Sequence, residues 1–363
     1  MTSNLADTTL RQRTVVQLLS PGTGGVRDYA EGLSRHWQAS GMTDQLLSFS
    51  QEDARQQPLA TRLKQLIETQ GRPCTLLLHY SGYGFQARGI CFWLLPQIDR
   101  ARQCLGRDLR IVTVFHELFA SGPPWGSAFW LSGVQAWIAA AIARRSDALW
   151  TNTELHRRWL ADRVGRNVSV TMQPVFSTIG EPDIVPASNQ RGLQLVVFGA
   201  QTTRHRALAL LPRHAMLLRR HGVTEVIEVG SGQAYNGTLL RMNHRFVGRM
   251  AAPELQSLLQ HSAYGLIDYP PKYLGKSTVF AAYAVHGCIA LNTADTGMDT
   301  DGLRHGEHFV TLKNAASMPG TPQARQCMAD AARAWYAGHR SRLQAEAFAD
   351  VCQIHPIKEA MHA

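Results

Sequence analysis

Hydrophobic residues along this 363-residue chain come in short continuous runs rather than in strict alternation. "TVVQLL" from 14, "QLLSF" from 45, "TLLLHY" from 75, "RIVTVF" from 110, "DALWTN" from 147 and "VSVTM" from 168 follow one another with helical stretches between them. A run without alternation is a strand covered on both faces, and intervening helices supply the cover, which is the pattern of a parallel sheet. The stretch 177–192, "STIGEPDIVPASNQRG", interrupts this rhythm with Pro, Gly, Ser and Asn. The rhythm then restarts with "LQLVVFG" from 193, "TEVIEVG" from 224, "HRFVG" from 244, "YGLIDY" from 264 and "GCIAL" from 287. The pattern predicts an α/β protein of two successive doubly wound domains, over 1–180 and 193–337, joined by a linker at 181–192. Residues 338–363 are helical in pattern and are expected to pack back on the N-terminal domain. Ligands in such folds bind at the carboxyl ends of the strands, here in the cleft that the two domains are expected to face.

Composition narrows the class. At 45% hydrophobic and 18% charged residues the chain is globular rather than disordered. Its longest apolar stretch, "AFWLSGVQAWIAAAIA" from 128, ends at Arg144 and Arg145, contains Gln135 and is shorter than a membrane span. A buried core helix is expected there. "MTSNLADTTLRQR" lacks the apolar segment of a cleavable signal, and the six cysteines form no C-x-x-C pair, so they read as reduced core thiols of a cytoplasmic protein. A net charge of +10 favours anionic partners. Without an RNA-binding signature, zinc-finger spacing or basic runs interleaved with aromatics, no nucleic acid is expected. Peripheral contact with the inner face of an anionic membrane stays open.

Four segments carry candidate chemistry. "GKST", 275–278, resembles the end of a phosphate-binding P-loop, but the second glycine that such a loop needs is Pro270, which has no N–H. What remains is Lys276, Ser277 and Thr278 at the start of a helix, a cationic site rich in N–H groups. "SPGTGG", 20–25, lets Gly24 and Gly25 bring backbone close to a ligand at another helix start; it is not the dinucleotide fingerprint. "VFHELFASGPPW", 114–125, sets His116 and Glu117 at a strand end, with no second histidine at Ala120 to make a zinc helix. "FGAQTTRHRAL" supplies Arg204 and Arg206 in the second domain at the place the glycine turn occupies in the first. With Lys276, Ser277 and Thr278 they are expected to clamp a diphosphate. His79 and Tyr83, after "TLLLHY", are weaker candidates for an acceptor side, together with Glu117.

In order and spacing these segments resemble the retaining GT-B glycosyltransferases, in particular glycosyltransferase family 4. "PGTGGVRDYAEGLSRHW" is similar to that family's Gly-Gly-Val loop and first helix, "HELFASGPPW" to its histidine loop, and "HRFVGRMAAPELQSLLQHSAYGLIDYP" to the stretch leading to its nucleotide site. "YAVHGCIAL" falls where the family has Ala-x-Gly-x-Pro. The resemblance implies two Rossmann-like domains and transfer of a hexosyl or related sugar from a nucleotide diphosphate donor, with retention and no metal or other cofactor. The acceptor is an unidentified glycan, lipid or small molecule. His116, Arg204 and Lys276 are the implied catalytic residues, and Gly24, Gly25, Arg206, Ser277 and Thr278 the implied donor contacts. One departure stands out: where the family carries two glutamates eight positions apart, this chain has Leu274 and Ala282. Two alternatives therefore remain, a non-catalytic GT-B-like binding subunit and a sugar-nucleotide epimerase using Glu117 and Asp268. The D-x-D of Asp299, Thr300 and Asp301 reads as a turn ahead of Gly302 rather than a metal site.

Overall fold

The computed structural model describes residues 13–120, 125–239, 242–294 and 301–354. The chain forms two compact units, one of Met1–Gln173 with Ser341–Ala363 and the other of Pro174–Arg340. Asp299 and Thr300 of the D-x-D lie outside the described residues.

In the first unit, β1 (Thr14–Leu19), β2 (Asp44–Ser48), β3 (Cys74–Tyr80), β4 (Leu109–Phe115), β5 (Ala148–Thr151) and β6 (Ser169–Met172) make one sheet in the order β2-β1-β3-β4-β5-β6. Every pairing is parallel. β1 and β3 are buried along their whole length, as a strand with helices on both faces must be. Leu76, Leu78 and Ile111 pack in one core with Leu94 and Ile98 from helix Leu94–Leu105 and Ile138 and Ile142 from helix Ser127–Ala143. That last helix differs from the expected buried core helix: Ile138–Ala143 are buried, while Phe129, Trp130, Val134 and Trp137 ahead of them are exposed. Helix Ser341–Cys352 belongs to this unit. Trp37 Nε1 donates to Ala345 O at 2.8 Å, Thr75 Oγ1 donates to Cys352 O at 2.7 Å, and the Trp150 and Phe348 rings stack at 3.9 Å.

The second unit repeats the plan with β7 (Gly192–Phe198), β8 (Glu225–Val229), β9 (Asn243–Phe246), β10 (Ser262–Ile267), β11 (Ile289–Asn292) and β12 (Phe309–Thr311), ordered β12-β11-β10-β7-β8-β9 and again parallel throughout. Alternate residues of β7 enter opposite cores, Leu195 and Val197 on one face and Val196 and Phe198 on the other. Tyr283, in helix Thr278–His286, lies flat enough on β10 that a Cβ at Gly265 would sit 2.4 Å from its ring. The stretch read as a linker is fastened to this unit instead. Ser177 N donates to Tyr336 Oη at 2.7 Å, Arg340 pairs with Asp183 at 2.9 Å, and Ser188 N donates to Gln326 Oε1 at 2.7 Å. Its Pro and Gly content sets a path without regular structure, and side chains from helix Pro322–Ala337 and from Arg340 just beyond it hold that path.

All six thiols are free; Cys104 and Cys327 are exposed, and the other four are buried. Burial pushes Cys74, Cys288 and Cys352 up to about 12, so these three are unreactive packing residues.

Candidate functional sites at the strand ends

In each sheet the chain leaves its first strand in one direction and later returns to the other side of it. The order therefore reverses between β1 and β3 in the first unit and between β7 and β10 in the second. Helices on either side of such a switch point depart to opposite faces and leave a crevice at the carboxyl ends of the strands.

At the second unit's switch point, β7 runs into Gly199, whose φ of +118° is a conformation that side chains with a Cβ rarely adopt. The turn brings Gly199 against Val279 at the start of helix Thr278–His286. Ser277 caps that helix, its Oγ accepting from Phe280 N at 3.2 Å, so its hydroxyl proton is still available to a ligand. The half-buried Lys276 lies with Nζ 5.4 Å from the centre of the Tyr273 ring, and Thr278 follows as the first helical residue. Arg206 comes from helix Gln201–Leu210 to the end of β10, pairing with the Asp268 carboxylate and donating to Asp268 O at 2.9 Å. Asp268 Oδ1 also accepts from Thr293 Oγ1 at 3.0 Å. Lys276, Ser277, Thr278 and Arg206 are thus gathered around the ends of the two strands that flank the reversal.

Arg204 differs from the expected phosphate contact. Its side chain is fully buried, with Nε 3.1 Å from Glu228 Oε1, Nη2 donating to Ser231 O at 3.1 Å and Nη1 donating to Gly199 O. Burial pushes the Glu228 carboxyl up, but Tyr235 N–H at 2.9 Å, Arg204 and His244 at 3.0 Å outweigh it and hold it below the usual carboxylate range. Arg204 therefore binds together the loops after β7 and β8. It positions the crevice and does not line it.

The first unit's switch point holds a chain of polar side chains inside an apolar sheet. The Gln17 amide donates to Asp44 Oδ2 at 2.9 Å and to Ala30 O at 3.2 Å, which turns its Oε1 toward His79 Nε2 at 2.9 Å. Burial, and then the neighbouring His116, drive His79 well below its ordinary value, so it is neutral. With its proton on Nε2, His79 offers the Nδ1 lone pair to His116 Nε2, 3.1 Å away. The partners thus select one tautomer of each ring. The rings of His79 and His116 stack at 5.4 Å, and Tyr29 meets His116 edge-on at the same distance. His79 is completely buried and differs from the expected acceptor contact; it orients His116.

Around His116, Ser81 Oγ donates to Glu117 Oε2 at 3.1 Å, and the half-exposed Tyr83 accepts from Gln135 Nε2 at 3.3 Å. Gly24 holds φ +135° just ahead of helix Gly25–Ala39 with open space beside its Cα, so backbone conformation rather than crowding calls for glycine there. Gly24 and Gly25 are both exposed. Sequence reasoning missed Gln17 and Tyr29. A lone glutamine within the buried run "TVVQLL" was a signal for the first, because a polar side chain in a two-sided strand needs a partner.

The positions aligned with the family's glutamates lie in the core, Leu274 at 1% exposure and Ala282 at 0%. Among the described residues, no three His, Cys, Asp or Glu side chains gather as a metal site.

The chain matches no protein-family model and no curated protein. It is similar in structure to an alpha-glucosyltransferase in complex with UDP and a 13-mer DNA containing a central A:G mismatch (TM-score 0.58, 11% identity, 94% of this chain and 99% of that one). It is likewise similar to the alpha,alpha-trehalose 6-phosphate synthase of Burkholderia multivorans (TM-score 0.59, 13% identity, 94% and 98%) and to the UDP-forming alpha,alpha-trehalose-phosphate synthase of Burkholderia vietnamiensis (TM-score 0.59, 12% identity, 94% and 99%). At these identities the likeness shows the fold, and that fold is the GT-B architecture of two doubly wound α/β units.

Proposed function

We propose that this chain is a glycosyltransferase that moves a sugar from a nucleoside diphosphate donor, with retention and without a metal ion. The observation that carries the reading is the cationic helix start of Lys276, Ser277 and Thr278 at the switch point of the second unit, joined there by Arg206. As the bond between the anomeric carbon and the donor's diphosphate oxygen breaks, negative charge grows on the departing diphosphate. Lys276, Arg206, the Ser277 hydroxyl and the N–H groups of the helix start stabilise that charge, the kind of fixed electrostatics that contributes most to such reactions. In the first unit His116, held in one tautomer by His79 and Gln17, binds the donor sugar or orients the acceptor.

The test is calorimetric titration with UDP, UDP-glucose and UMP, followed by turnover measurements against glycan, lipid and small-molecule acceptors. UDP comes first because it is the nucleotide in similar alpha-glucosyltransferase structures, and DNA joins the acceptor panel because several of them hold it. Lys276→Ala is expected to cost on the order of 3 kcal/mol of transition-state stabilisation, about a hundredfold in rate, with the melting temperature unchanged. Wild-type UDP affinity and turnover in that variant would remove the diphosphate clamp. A second reading, binding without turnover, is favoured by the apolar, buried Leu274 and Ala282. Tight UDP-sugar binding with neither transfer nor slow hydrolysis would establish it.

A further inference from the structure

Helix Ser127–Ala143 presents an aromatic face to solvent between Phe129 and Trp137. Trp130 is 70% exposed and Trp137 is 53% exposed, Phe129 packs edge-on against Trp130 at 5.4 Å, and Phe92 packs against Trp137 at 5.8 Å. Trp125, 87% exposed, stands just ahead of the helix. Two exposed aromatic pairs two helical turns apart on one helix differ from the singly scattered apolar residues of an ordinary surface and mark a docking site. The helix cannot be a span: no helix among the described residues is long and apolar enough to cross a membrane.

Two features choose the occupant. No charged residue lies between Ser127 and Ala143, and tryptophan, with an apolar body and one N–H, is suited to the boundary between lipid headgroups and acyl chains. The rim of the patch is cationic. Arg88 lies in the segment that brings Phe92 onto Trp137, its backbone carbonyl accepting from Gln135 Nε2 at 2.7 Å, and Arg144 follows Trp137 by seven residues, two helical turns along the same face. Both arginines are exposed, and neither has a carboxylate partner among the described residues. Such a rim complements anionic headgroups and opposes a second copy of itself. A nucleic-acid strand would call for cations between the rings rather than around them.

We propose that this face docks on an anionic bilayer surface, with Trp125, Trp130 and Trp137 at headgroup level and Arg88 and Arg144 on the lipid phosphates. The helix that carries the patch also holds the His116 loop, because Gln135 Oε1 accepts from Ala120 N at 2.7 Å. Docking thus sets that loop close to the lipid surface.

The test is co-sedimentation of the full chain with phosphatidylcholine vesicles containing about one third phosphatidylglycerol, and with pure phosphatidylcholine vesicles, with tryptophan emission as a second readout. Binding to the mixed vesicles with a blue shift, and at least about tenfold weaker binding to the neutral ones, is expected. Trp130→Ser with Trp137→Ser should weaken binding on the order of a hundredfold. Arg88→Gln with Arg144→Gln should remove most of the preference for anionic lipid; these exposed changes leave folding untouched and serve if the tryptophan variant misfolds. No binding to the mixed vesicles, or binding that both variants leave intact, overturns the proposal. So does concentration-dependent dimerisation abolished by the tryptophan changes, or displacement from vesicles by short DNA. Because no donor is present, the outcome is independent of whether the chain transfers sugar.

Discussion

Replacing Arg204 by methionine separates a ligand-binding arginine from one that holds the second unit together. Arg204 and Glu228 are both fully buried, and the guanidinium also serves the carbonyls of Gly199 and Ser231. Methionine fills much of the same volume but leaves Glu228 charged and short of one partner, with Tyr235 N–H at 2.9 Å and His244 at 3.0 Å remaining. Breaking one side of a buried ion pair costs about 3–5 kcal/mol. For a unit of this size that lowers the melting temperature by on the order of 10 °C. Adding Glu228→Gln removes the stranded charge, so the double variant should recover about half of the loss. Thermal unfolding followed by near-UV circular dichroism, with UDP titration in parallel, reads both effects. An Arg204→Met protein that melts like the wild type while losing UDP affinity would show that the guanidinium serves the ligand and would refute its structural role.

Acid should weaken the second unit through two neutral buried histidines. Burial lowers His286 to about 4 and His339 to about 3 from the ordinary 6.5, so between those values the unfolded chain binds more protons than the folded one and stability falls as pH falls. His286 alone should contribute a loss of roughly 2 kcal/mol between about pH 6.5 and 4.5; a melting temperature flat across that window would contradict it. Gly265→Ala places a Cβ 2.4 Å from the buried Tyr283 ring, and the resulting overpacking should cost about 1–3 kcal/mol, measured by urea unfolding, whereas a neutral change would show that the ring can shift. On the proposed transfer reaction, turnover should survive EDTA, and loss restored by manganese would place a metal in the reaction.

The strands were the legible part, because a run such as "TLLLHY" can be buried on both faces only in a parallel sheet with helical cover. β12 was not, since Phe309–Thr311 is three residues long and is held at an edge by β11 rather than by its own pattern. Helix Ser127–Ala143 reads apolar on every side, so the sequence gives no polar face to show which half meets solvent, and exposure there is decided by what packs against it. Arg204 and Arg206 were read together as one clamp, and their spacing argues against that. Two positions apart on a helix, they point to different sides and cannot both face one ligand. The one turned inward found Glu228, in another strand, and the one turned outward found Asp268. Such long-range partners carry no local signal, and the coupling of His79 to Gln17, 62 positions away, is of the same kind.

The first unit is built from both ends of the chain, and this sets the order of events during synthesis. The second unit is contiguous, so it can complete its sheet as soon as residue 340 has left the ribosome. The first has all six strands by Met172, yet Trp37, Thr75 and Trp150 wait for Ala345, Cys352 and Phe348. For the whole time it takes to make the second unit, the nascent first unit carries an uncovered sheet face of large aromatic and aliphatic side chains. A chain stopped after Arg340 would therefore present a finished second unit joined to a first that is a natural substrate for chaperones.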